Sequence, residues 1–114
     1  MSTISDAVDA ALAVIATETS LKATRDPSRV IPPCLYAETP SVVGYTQGGV
    51  TLELVIHLVP AGNVDNIGKE WLMSKVIDFA NAGKFPRVDP GSLEVDGIAR
   101  TTYQGTATIT VRST

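Results

Sequence analysis

The sequence predicts an α+β domain: a small antiparallel or mixed sheet with two helices packed on one face. Three observations predict it. Two stretches carry apolar residues at three- and four-residue spacing, one near the N-terminus and one past the middle. Other stretches alternate apolar and polar residues, as half-buried strands do. The strand-like runs are joined by proline, glycine and Asp-Gly links of the hairpin kind, and the helical runs stand apart from them.

The first helix is predicted over residues 5–18, SDAVDAALAVIATE. Ser5 is placed to cap it, Asp6 and Asp9 suit the positive end of the helix dipole, and Val8, Ala11, Leu12, Ile15 and Ala16 form one apolar stripe. KATRDPSRVIPP, residues 22–33, reads as a loop. Pro33 leads a short strand, Cys34–Glu38, and a residue that cannot donate to a ladder places that strand at the periphery of the sheet. Residues 39–49 form a long connection, bracketed by Pro40 and Gly48-Gly49 and carrying Val42, Val43 and Tyr45. Such a segment is either a hairpin arm that reaches out or a mobile piece that orders on a partner.

VTLELVIHLVP, residues 50–60, is the clearest strand. Leu52, Leu54, Ile56 and Leu58 share one face, with Thr51, Glu53, Val55, His57 and Val59 on the other. A second helix is expected from Asn63 or Asp65, either of which can cap it, to Ala82, with Gly83 in the left-handed closing position. Trp71, Leu72, Val76, Phe79 and Ala80 belong to its apolar stripe, and Trp71 reads as a core anchor. KFPRVDPGS, residues 84–92, is a further connection, and Asp96-Gly97 signals a hairpin between LEV and IAR. In the last strand Tyr103, Gly105, Ala107, Ile109 and Val111 alternate with Gln104, Thr106, Thr108, Thr110 and Arg112, which puts a threonine ladder on the wet side. Gly105 marks a bend or a bulge.

At 114 residues the chain is one domain, 1–114, with a radius of gyration expected near about 13 Å. Hydrophobic residues at 44% against 18% charged argue for a packed chain over a disordered one. The net charge of −3 is spread singly, with no clustered basic face to grip phosphates. Cys34 is the only cysteine, so neither an internal disulfide nor a multi-cysteine zinc site can form, and it reads as a small buried hydrophobe. No signal peptide is apparent, and no apolar run approaches the roughly 20 residues that span a bilayer. A reducing, aqueous compartment is expected.

Chemistry is hard to assemble from these residues. His57 is the only histidine, with Glu53 four residues away on the same strand face. Asp89, Glu94 and Asp96 lack the ligand order of a calcium loop. YTQGGV leads into a strand, where a phosphate-binding loop needs a helix. The sequence argues against an enzyme, a cofactor and a metal site.

Element order and apolar positions across most of the chain resemble the tail terminator (tail-completion) proteins of long-tailed, non-contractile phages, the siphophages. The likeness runs through the alanine-rich first helix, VIPPCLYAETP, LELVIHLVPAGN, NIGKEWLMSKVIDFA and the closing TTYQGTATITV. It implies a structural virion protein, assembled in the host cytoplasm, that forms a homohexameric ring on the head-proximal end of the tail tube. Such a ring stops tube growth and presents a docking face to the stopper, or head-completion, protein. Genomic DNA would pass through its lumen without specific binding, and no membrane would be involved. Val42, Val43, Tyr45, Gln47, Thr106, Thr108 and Thr110 are the expected contacts with neighbouring subunits or partners. Two alternatives stay open: another neck component, such as a head-closure, connector or minor tail protein, and a small α+β ligand-binding domain using Glu53, His57 and Gln104.

Overall fold

The computed structural model describes residues 3–46, 48–60, 66–95 and 97–112. Helix α1 spans Thr3–Thr19 and α2 spans Asn66–Gly83. The strands are β1 Lys22–Thr24, β2 Cys34–Ala37, β3 Ser41–Thr46, β4 Gly49–Val59, β5 Val88–Val95 and β6 Ile98–Arg112. They form one mixed six-stranded sheet in the order β1-β2-β4-β6-β5, with β3 also paired to β4. Only β1 and β2 are parallel. The fold is α+β, as the patterning predicts.

Period-two alternation in β4 sets the core. Leu54, Ile56 and Leu58 are fully buried on one face, together with Leu35 and Ala37 of β2. Val8, Leu12 and Ile15 of α1 and Leu72 and Phe79 of α2 pack onto them, and Trp71 is partly buried against the same cluster. Each such aliphatic or aromatic side chain contributes roughly 1.5–3 kcal/mol. A smaller cluster of Val30, Cys34 and Val59, joined by Tyr36 and Leu93, covers one end of the opposite face.

Both helices close alike. Ser20 and Lys84 take left-handed φ values of 58° and 52°. The amides of Leu21 and Phe85 then reach back to the carbonyls of Ala16 and Ala80, at 3.1 and 3.2 Å. The left-handed position after α2 therefore belongs to Lys84, whereas the pattern places it at Gly83. Gly83 is needed for another reason: a Cβ there would collide with the Phe85 ring, as would one at Gly105. Phe85 is buried between these two glycines with its ring centroid 4.9 Å from that of Phe79. Gly105 thus serves a close approach, and β6 runs through it in unbroken register with β4.

Several boundaries differ from expectation. α1 starts at Thr3, so Ser5 lies inside the helix, and its Oγ accepts a hydrogen bond from Arg25 at 2.7 Å. The expected loop over 22–33 contains β1 and a 3₁₀ turn at Pro27–Arg29, where Asp26 caps by accepting from the Ser28 amide. Three mostly exposed residues carry no alternation long enough to read. β1 pairs with β2, so β2 lies inside the sheet and its proline-led start does not mark an edge. Residues 41–46 form a strand, realising the hairpin-arm reading of the 39–49 segment. β5 begins at Val88, inside the expected 84–92 connection, and it tolerates Pro90 because it is a true edge strand. Val95↔Ile98 closes the hairpin expected between LEV and IAR, with Gly97 at φ 79°, and Asp96 lies outside the described residues. The expected α2 caps, Asn63 and Asp65, lie outside the described residues.

Candidate functional site

Strand lengths leave part of β4 and β6 without the outer strands that flank the rest of the sheet. β6 accompanies β4 from Gly49↔Arg112 to Leu58↔Tyr103, but β5 pairs with β6 only as far as Gly105. On the other side of β4, β2 pairs with residues 56–59 and β3 with residues 49–53. The start of β4, the end of β6 and β3 thus make a three-stranded wing. The molecule measures 49 × 27 × 22 Å, and its radius of gyration of 14.3 Å exceeds the value expected for its length.

The wing has two backbone edges without a strand partner among the described residues: the outer edge of β3, and β6 from Thr106 to Arg112. They lie on opposite sides of it. Val42 and Val43 are 59% and 52% exposed on β3. Thr106, Thr108 and Thr110 are exposed across from Val55, Glu53 and Thr51, on the sheet face that the helices do not cover. Tyr45 pairs with Val50 through its backbone. Gln47 lies outside the described residues. Five of the seven expected contact positions therefore fall on the wing as exposed side chains, two on β3 and three on β6 with β4 between them, and a sixth joins through its backbone.

At the root of the wing sits His57, only 2% exposed. Its Nε2 is 2.5 Å from Glu38 Oε2, and its Nδ1 is 2.9 Å from Thr102 Oγ1. A carboxylate only accepts, so Nε2 carries a proton and donates to Glu38. In the neutral ring Nδ1 then accepts from the Thr102 hydroxyl. The sequence places Glu53 nearest His57 on its strand face; the partners the structure supplies are Glu38 and Thr102, from two other segments. Neither stood out in the sequence, at 19 and 45 residues' separation. The readable signal was indirect: a histidine flanked by valines on a strand needs buried partners. Both ring nitrogens of His57 are thus engaged and its ring is buried, so it offers no free nitrogen beside Glu53 and Gln104.

Other chemistry is sparse. Burial pushes the Cys34 thiol above its ordinary value, offset in part by the Ile31 backbone and by Arg100. Hydrogen bonds from the Ser28 hydroxyl and amide hold the Asp26 carboxyl below its usual range. Asp89 bonds Arg87 at 2.8 Å, and Glu94 falls on the opposite strand face, so the carboxylates of β5 do not converge. No group of three or more metal-ligating side chains occurs among the described residues. A cleft of about 260 Å³ beside Leu72, Met73, Pro90 and Tyr103 is lined by apolar and hydroxyl groups. Among the described residues no helix is long and apolar enough to cross a membrane.

Comparison of the chain with models of protein families, with curated proteins and with solved structures finds no match.

Proposed function

We propose that this chain is a structural assembly protein, a tail terminator like those of siphophages. It acts as a homohexameric ring that caps the head-proximal end of the tail tube and receives the stopper protein. The observation that carries this reading is the wing, with open strand edges on its two opposite sides. A ring built head to tail needs two different surfaces per subunit. The β3 edge of one copy and the Thr106–Arg112 edge of the next offer matching backbone donors and acceptors. β3 carries no charge or proline, two of the devices that ordinarily blunt a free edge. The threonine face left bare by the helices then turns toward the bore, where a polar surface with no cluster of cations lets DNA slide without holding it.

Complementation of a terminator-deficient phage tests the reading. Val43→Lys and Thr108→Lys place a cation at an exposed position of each edge, where the monomer tolerates it and a neighbouring strand does not. Both variants should melt within about 2 °C of the parent, since surface changes cost within about 0.5 kcal/mol. Both should yield overlong, headless tails. Tails of normal length that lack heads would instead assign the chain to another neck component, and full infectivity from both variants would contradict the assembly role of the wing.

A further inference from the structure

We infer that the Glu38–His57–Thr102 chain of hydrogen bonds is a register pin: it selects how β3 pairs with β4, and so which of two adjacent valines the arm presents on each side. This inference does not depend on the terminator reading. It begins with an ambiguity in β3. Gly44↔Thr51, Tyr45↔Val50 and Thr46↔Gly49 follow one register, while Val42↔Leu52 and Ser41↔Glu53 are offset by one residue, with Val43 as the bulge. Without the bulge, the register of Gly44 would continue to place Val43 opposite Leu52 and Val42 opposite Glu53. The two arrangements exchange one valine for another. Both valines are largely exposed, so burial does not choose between them.

The choice is made upstream. Between Ala37↔Ile56 and Ser41↔Glu53 the chain leaves strand geometry for three residues. Glu38 is held there twice, by its amide to the Val55 carbonyl at 2.9 Å and by its carboxylate to His57. The imidazole cannot swing, because it is buried and Thr102 of β6 holds its other nitrogen. With Glu38 fixed, only Thr39 and Pro40 separate it from β3, and that short span leads Ser41 into place opposite Glu53. Losing the side-chain bond leaves the Val55 carbonyl as the only one of these two holds on Glu38, and so loosens the span enough for it to shift by one residue and absorb the bulge. Buried polar groups that fix register at little net gain in stability are a known device. Thr102 is then a positioning residue that acts through His57.

Amide exchange and cross-strand contacts measured by NMR test the pin in the full chain. In Glu38→Ala, a change at a half-exposed side chain, the β3 amides should exchange about tenfold faster, equivalent to about 1.4 kcal/mol. A second set of contacts should appear, with Val43 opposite Leu52. Thr102→Val should act in the same direction, and should add nothing in the Glu38→Ala background. Glu38→Leu, which keeps the bulk of the side chain and removes its acceptor, gives the same readout should the alanine variant fail to fold. Unchanged β3 contacts in the Glu38 variant would overturn the inference. So would exchange that quickens equally in β2, β5 and β6, because that would make the bonds a general contribution to stability. A full Thr102→Val effect in the Glu38→Ala background would remove Thr102 from the pin.

Discussion

Burial decides the behaviour of two small residues. Cys34, the first residue of β2, is buried among Val30 and Val59 with its thiol held above the ordinary value, chiefly by desolvation. The neutral thiol is the folded form, so this contribution to stability is complete below the unfolded thiol's value. It declines as pH rises from there through the folded one. Native Cys34 should resist a thiol-alkylating reagent at pH 8 and react fully in denaturant, and Cys34→Ala should flatten the alkaline limb of the stability curve. Rapid native labelling would contradict the burial. Gly105 answers to packing alone. Its missing Cβ makes room for the Phe85 ring, which is itself wedged against Phe79, so Gly105→Ala should cost about 1–3 kcal/mol in chemical denaturation. A neutral result would mean that the ring moves aside.

Secondary-structure elements are where the physics of local sequence is most open to test. Ser20 and Lys84 hold left-handed conformations that cost a side-chain-bearing residue about 1–2 kcal/mol, partly offset by the larger entropy that glycine loses on folding. Ser20→Gly and Lys84→Gly should each raise the melting temperature by a few degrees, about 0.5–1 kcal/mol. A lower melting temperature would show that these side chains do something further. Long periodic elements were legible beforehand: Val8, Leu12 and Ile15 mark α1, Leu72 and Phe79 mark α2, and the leucines of β4 mark the inner face. What escaped was short or non-local. β1 is three residues without a pattern, β5 hides behind Pro90 and Gly91, and β2 is interior because of β1 alone. At the candidate site, the arm and the threonine ladder were readable from turn residues and alternation. The His57 partnerships were not, since they depend on which strands become neighbours.

For the whole molecule, the account rests on a shape: a body with helices on one face, and a wing with an open strand edge on each side. One domain of this size is too small to enclose a duplex, so any bore must lie between copies. The wing supplies two unlike surfaces, and a heterologous contact closes only when the rotation between copies returns to its start. Val42 and Val43, left exposed in the single chain, gain about 25 cal/mol for each Å² of apolar surface that a neighbour covers. In the proposed ring that gain is modest for one contact and repeated at each, which would favour separate chains at low concentration and a closed assembly on a template. The most direct test is the mass of the species formed across a concentration series, with and without tail tubes. Dilute protein alone should be the 12.0 kDa chain, and tubes should convert it to a six-copy assembly of about 72 kDa at one tube end. A stable dimer at every concentration, unchanged by tubes, would contradict the account.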